Sequence, residues 1–498
     1  MWLFLLIISR LLTFNPNAAF LDSAEYVQLA RSSWQVALRG GHPPIHPAYV
    51  ALLKLIPLPA GLVSALVGIG TIIIFYKLIK ELWDKKTAKK AALIFALLPG
   101  VWIVQENVMI ESVSLWWLVL ATYLAVKKRW FWTGVSLTLM LLTHNQMLLW
   151  IPLMFGFTKV RIRVIVLAVV AAAIVYALLG QDLLGLIYTK TGEIVPWWSG
   201  IRNAIVLWLR LHSSLVGLVA VVAILKIWRR KLWLILPYLF WAQFYSADFL
   251  IRRLIPITLV SSTAIALVIK QRWILVGLIA ALAVSSMPVV WSYSWLNQDQ
   301  VINKIQQLQA QIPADGLYID SHFLRTISNF KGETYHLGES TNWLAPVQAI
   351  EVALSQGKRV FIDSQAMVDP YQFYVGNQLH PLSLGKFGKS EAKEVFRRFY
   401  IKDMIVTDVE KRIFAYELTD KSETGGQSVP GTAILAYSSQ WQDRLLKQRL
   451  DYFDPLSWLW AIVTNKHEPY VWVYADAAGR YLLPLPENAG PIKTVLRL

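Results

Sequence analysis

The 498-residue sequence contains no cysteine, which excludes a disulfide framework, a thiolate metal site and a cysteine nucleophile together. Charge is scarce too. Only 16% of the residues are charged against 56% hydrophobic, and the mean hydropathy is +0.46, values that set the chain apart from soluble proteins. Acids are rarest where the chain is most apolar. Residues 1–291 hold 9 Asp and Glu against 27 Lys and Arg, whereas residues 292–498 hold 22 against 21. The formal charge of +17 therefore sits in the apolar part. That is the positive-inside bias of a membrane protein and not the basic groove of a nucleic-acid binder, so no nucleic-acid partner is expected. Nor is there a Gly-rich phosphate loop or a compact spacing of His and acidic residues, so neither a metal nor a cofactor is expected.

What the chain does carry is a succession of apolar stretches, about eleven before residue 292, at 1–14, 58–76, 91–104, 110–126, 130–143, 147–158, 164–180, 204–225, 232–248, 254–269 and 273–291. Several are shorter than the roughly 20 residues an upright helix needs to cross about 30 Å of hydrocarbon, yet the charges between them alternate. Every second connection is basic: Lys77 to Lys90, Lys127-Lys128-Arg129, Lys159 with Arg161 and Arg163, Arg229-Arg230-Lys231, and Lys270 with Arg272. These loops are expected to face the cytoplasm. The opposite side then receives Asp22, Glu25, Glu106, Glu111, Asp182, Glu193 and Asp248, seven of the nine acids of this half. Residues 1–14 show no basic start and no small-residue cleavage site before Asn15, and are read as a first span in place of a signal peptide. The expectation is a polytopic α-helical membrane protein of about eleven transmembrane helices, sited in the cell membrane with the bilayer as partner and Met1 in the cytoplasm.

Beyond Trp291 the composition turns ordinary and apolar patterns alternate. Gln300 to Gln311 and Ala349 to Ser355 read as helices, and Gly316 to Asp320, Lys358 to Asp363 and Met404 to Thr407 as strands. A small C-terminal soluble α/β domain with a largely parallel sheet is expected over 292–498, outside the cytoplasm by span parity. Fold alone gives it no function; covering a membrane site or docking an acceptor is its default role.

The first outer loop, residues 15–57, is the densest in chemistry. Asp22 and Glu25 are three residues apart, so a helix there puts both carboxylates on one face just beyond the first span; Asp22 capping a surface helix is the plainer alternative. The run His42-Pro43-Pro44-Ile45-His46-Pro47 forbids a regular helix and forms a stiff extended connector that brings two imidazoles near the carboxylates. Elsewhere on the outer side, Glu106, Asn107 and Glu111 are polar groups that either contact a substrate or mark a loop. His144 and Asn145 lie between two apolar runs at the boundary, where polar groups are functional by default. Arg210 and His212 lie within a span and suit a contact between helices, and Trp197-Trp198 suit an interfacial aromatic belt.

An Asp-Ser-x-Glu after the first span (Asp22, Ser23, Glu25), followed by His42, Pro43, Pro44 and Pro47 with Tyr49 nearby, resembles the multi-spanning protein O-mannosyltransferases and their bacterial relatives, within the C-type (GT-C) glycosyltransferases. His144 in LLTHNQMLLWIP and the SADFLIRRLIPITLV segment are similar to later parts of that superfamily. Two positions depart from it: Ile45 stands in place of Gly, and Arg253 in place of an aromatic. The resemblance implies a hexosyltransferase that moves mannose or another hexose from a polyprenyl-phosphate carrier to a protein or glycan acceptor on the outer face, with inversion. An acceptor hydroxyl needs a carboxylate within about 2.6 to 3.2 Å to take its proton. Asp22 is the candidate base, with Glu25 orienting it or the sugar, and His42, His46, Tyr49, Glu106, Glu111, His144 and Asn145 as substrate contacts. The departing lipid phosphate calls for a cation. Arg252 and Arg253, on the outer side against the charge trend, are candidates, with Arg202 a weaker one; snorkelling to headgroups is the alternative. The competing classes are a flippase or transporter of lipid-linked glycans, which would show internal repeats that this chain lacks, a glycan polymerase or ligase, and an envelope scaffold.

Overall fold

The computed structural model describes residues 2–16, 21–41, 45–181, most of 201–244, 251–296, 301–321, 330–337, 344–363, 395, 398–408, 413–420, 432–438, 471–475 and 492–497. The chain divides into two compact units, with the main division after Asn297.

The first unit is helical. Helix α1 (Trp2–Thr13) is followed by three short helices, α2 (Leu21–Arg31), α3 (Trp34–Arg39) and α4 (Pro47–Leu55). Helix α5 (Ala60–Leu82) is, among the described residues, the one helix long and apolar enough to cross a membrane unaided. The expected basic loop after it is mostly helical, because Asp84 caps the next helix, accepting from the backbone N–H groups of Lys86 (2.7 Å) and Thr87 (2.9 Å). The stretch expected as a single span at 91–104 is two helices, α6 (Lys85–Leu97) and α7 (Pro99–Glu106), bent by 68°. The cause is local. Pro99 disfavours a helical Leu98, which adopts φ −60°, ψ 129°, and then supplies a first helical residue that needs no N–H donor.

Helices α8 (Ile110–Val126) and α9 (Trp130–Thr143) match two expected spans. The stretch expected as a span at 147–158 is instead a 3-10 helix, Asn145–Leu153, running into the four-residue α10 (Met154–Phe157). Extended backbone at His144 and Pro152 within the segment prevent a continuous α-helix. Then follow α11 (Ile162–Leu178), α12 (Ser214–Trp228), a 3-10 turn and α13 (Leu236–Phe244), a 3-10 turn Ile251–Leu254, α14 (Ile257–Val268) and α15 (Arg272–Tyr293). Helix α11 inverts the pattern of a water-soluble helix. Ile162, Val166, Val170, Ile174 and Leu178, four residues apart, are exposed, while Ile165, Ala168, Ala172 and Tyr176 face inward. An outward apolar stripe of this kind suits hydrocarbon and not water.

Polar side chains tie this unit internally. Arg10 of α1 is wholly buried, donating to the Gln105 amide oxygen (3.2 Å) and the Ala96 carbonyl, its guanidinium 4.4 Å from the centroid of the Trp102 ring. Glu106 accepts from Thr13 and Trp102, and Asn15 donates to Asn107 (2.9 Å). Glu106 was expected on an outer loop as a sugar contact; the structure instead closes it, without exposed surface, into the packing of α1 on α7. His212 accepts from or donates to Ser261 of α14 (2.7 Å), the helix-to-helix contact its place in a span suggested, and its Nδ1 lies 3.0 Å from the Trp208 carbonyl oxygen, so that nitrogen carries the proton. Arg210 and Trp197-Trp198 lie outside the described residues.

The second unit begins with α16 (Val301–Gln311). Strands β1 (Leu317–Ser321), β2 (Glu333–Leu337), β3 (Val360–Asp363), β4 (Tyr400–Asp408) and β5 (Ile413–Thr419) form one sheet in the order β2-β1-β3-β5-β4, with α17 (Ala345–Ser355) between β2 and β3 in the chain. The sheet is mixed rather than largely parallel. β2, β1 and β3 are parallel, and β5 is antiparallel to both β3 and β4; β4 and β5 are close enough in sequence to pair as a hairpin. A second, antiparallel sheet, β7-β6-β8 (β6 Thr432–Ser438, β7 Val471–Ala475, β8 Ile492–Arg497), has no counterpart in the expectation.

Alternation along the strands sends Leu317, Ile319, Val360 and Ile362 into a core shared with Val347 and Ile350 of α17. The other face holds polar side chains beside the buried Phe361. Tyr318 donates to Asp363 and His336 pairs with Asp320. Glu417, almost wholly buried, takes a two-pronged contact from Arg359 (2.9 and 2.6 Å) and a third bond from Lys402 (3.0 Å).

Candidate active site

Helix α2 carries Asp22 and Glu25 one turn apart, as their spacing requires. The Asp22 side chain lies outside the described residues. Ser23, between them, is buried and donates to the Val108 carbonyl, anchoring the start of α2 against the approach to α8. Tyr26, one residue past Glu25, is buried in a core with Ala37, Tyr49, Val50, Val63, Val108 and Val113 that packs α2, α3 and α4 onto α5 and α8. At the far end, the Lys54 ammonium donates to the carbonyls of Ala30 (3.2 Å) and Ser32. It therefore meets the partial negative charge at the C-terminus of α2.

With α2 held, Glu25 turns toward the proline-rich connector: a Cβ built on Gly41 would stand 3.5 Å from its Oε1. Gly41 has φ +99°, a conformation L side chains rarely adopt, so glycine lets the chain turn beside the carboxylate. His42 and the two prolines after it lie outside the described residues. The connector is shorter than expected, because Pro47 opens α4 as its first residue and His46 is the cap position before it.

His46 is buried and meets Tyr26 edge-on, ring centroids 5.3 Å apart. On its other side it stacks on His144, at 5.7 Å and 11° between planes. Two imidazoles separated by almost a hundred residues thus face each other. His144 comes from the end of α9, where its extended backbone (φ −156°, ψ 101°) stops the helix. The hydroxyl of Tyr176 on α11 lies 2.9 Å from the Leu141 carbonyl and 3.4 Å from that of Ile45, clamping the segments that carry the two histidines.

The remaining expected residues divide. Glu111 is buried in the first turn of α8, where a carboxylate is favoured by the helix dipole. Tyr49 is wholly buried, packed edge-on against Tyr26 at 5.2 Å; it supports the site from within the core and presents no surface to a substrate. Asn145 is half-buried directly after His144. Arg253 is half-buried in the turn Ile251–Leu254, which packs near α7. The side chains of Arg252 and Arg202 lie outside the described residues. Tyr26, Tyr176 and Lys54 were not foreseen. All three look like ordinary residues of their helices in the sequence.

No protein-family model and no curated protein matches the sequence. Among solved structures, 85% of this chain aligns with 98% of ArnT from Cupriavidus metallidurans bound to undecaprenyl phosphate, at 10% identity and a TM-score of 0.48. Likewise 85% aligns with 74% of the archaeal oligosaccharyltransferase AglB from Archaeoglobus fulgidus in complex with an inhibitory peptide and a dolichol-phosphate, at 12% identity and a TM-score of 0.40.

Proposed function

We propose that this chain is an integral-membrane glycosyltransferase. It moves a sugar, mannose or another hexose, from a polyprenyl-phosphate carrier to an acceptor hydroxyl of a protein or glycan on the outer face of the cell membrane. The observation that carries this reading is the meeting of parts far apart in sequence: the helix bearing Asp22 and Glu25, the connector ending at His46, and His144, stacked on that histidine. These are the segments on which the likeness to the C-type transferases rests.

In this reading Asp22 takes the proton of the acceptor hydroxyl as it attacks the anomeric carbon, and the carrier phosphate leaves from the opposite face, inverting the centre. Glu25 orients the base or the sugar. The buried imidazoles of His46 and His144 border the sugar, and Arg253 with Arg252 receives the charge that develops on the leaving phosphate.

The test is transfer by the purified full-length chain from radiolabelled polyprenyl-phosphate hexoses. Asp22→Asn keeps the size of the side chain and is expected to lower turnover by about a hundred- to ten-thousand-fold while the protein stays folded. A folded Asp22→Asn chain with near-normal turnover removes Asp22 as the base.

A further inference from the structure

The amide oxygens of Asn145 and Gln146 are shielded from solvent and, among the described residues, accept no hydrogen bond. Backbone groups and hydroxyls on either side are satisfied: the Thr143 hydroxyl donates to Leu139 (2.7 Å), the His144 N–H to Met140 (2.8 Å), and the Met147 N–H to His144 (3.0 Å). A buried acceptor left without a donor costs about 1–3 kcal/mol, and native proteins keep few of them. Here two occur in successive residues. Both side chains are half-buried, so each also reaches the surface, and both directly follow the histidine whose ring faces His46.

Building on the transferase reading, we propose that Asn145 and Gln146 read the donor sugar, their amide oxygens accepting hydrogen bonds from its hydroxyl groups. Gln146 thereby joins the site as a specificity-determining residue. The chemistry selects the ligand class. Two acceptor oxygens repel a phosphate and are too few to make a cation site, whereas a pyranose ring presents several O–H donors around its rim. The 3-10 winding that starts at Asn145 belongs to the same device. It departs from the α-helical course of α9 at His144, so these two amides follow the imidazole directly in place of continuing a span. Filling the two oxygens on binding removes an existing penalty of the free protein, which makes the contact worth more than a hydrogen bond exchanged with water.

The test uses purified full-length protein with Gln146→Met, which keeps the length of the side chain and removes the acceptor, and Gln146→Glu, which keeps an acceptor. Thermal unfolding and transfer kinetics are measured with an intact polyprenyl-phosphate hexose and with donors lacking single hydroxyls. Gln146→Met is expected to melt at or above the wild-type temperature, yet to lose about five- to a hundredfold in kcat/KM. One deoxy donor is expected to cost the wild type a similar factor and to cost Gln146→Met nothing further, while Gln146→Glu retains the discrimination. Wild-type kinetics in Gln146→Met, or deoxy penalties that simply multiply with the mutation, overturn the assignment. A Gln146→Met chain that melts well below wild type overturns it as well, since the oxygen would then serve the folded structure. A wild-type chain that transfers no sugar overturns the transferase reading and this inference together, whereas the preceding results strike at Gln146 alone.

Discussion

Glu106 shows how a residue's type and its burial can point in different directions. In the sequence it is an acid near the outer side, close to Glu111, and reads as a sugar contact; in the structure its carboxylate accepts from Thr13 and Trp102 beside the buried Arg10. Removing it takes the acceptor from the buried Thr13 hydroxyl and Trp102 N–H. Glu106→Ala is therefore expected to destabilise the chain by about 1–3 kcal/mol, read as a fall in melting temperature in detergent, while turnover per folded molecule stays near normal. A loss of turnover in fully folded protein would return Glu106 to the catalytic machinery. Arg10 carried a visible signal, a charge inside an apolar span. Gln146 did not, because what distinguishes it is an oxygen without a donor, a property of packing rather than of residue type.

Among elements, prolines decide most departures from the expected order. Pro99 bends one expected span into α6 and α7, and Pro152 helps turn another into a 3-10 helix. Both were legible as residues, but periodicity alone does not say whether a proline ends a helix or kinks it. In the sheet unit, Glu417 of β5 stands opposite Phe361 of β3 and pairs with Arg359 and Lys402. Arg359, then Lys402, hydrogen-bond its carboxylate and hold its pKa below the usual glutamate range. Because the folded pKa is depressed, the contribution to stability is fully present above the unfolded value of about 4.3 and is lost as pH falls through the folded pKa. Acidification from pH 6 toward 3 is expected to lower the unfolding temperature of this unit less in Glu417→Gln than in wild type. Equal slopes in the two proteins would show that this ion set contributes nothing to the acid response.

For the molecule as a whole, the alternating basic connections of the sequence lead to the expectation that the 292–498 unit lies outside the cytoplasm. Impermeant labelling or protease added to intact cells is expected to reach that unit and to spare the Lys127-Lys128-Arg129 turn. A protected C-terminal unit would reverse the side on which sugar transfer is proposed.

Composition and apolar length pointed to a helical, apolar first part and to a second part that alternates helices and strands, because local residue pattern decides which segments wind as helices and which extend. The spacing of Asp22 and Glu25 likewise determined their common helical face, since three residues span most of one turn. What only the tertiary structure decided was which distant segments meet. His46 finds His144 through Tyr26, Tyr176 and the packing of α4 on α9, and nothing local to residues 46 or 144 encodes that stack. The same holds for β5, whose antiparallel place beside β3 follows from its hairpin with β4. Local pattern governs whether a segment is helix, strand or turn; the partners it takes depend on contacts whose free energy exists only once the chain has folded.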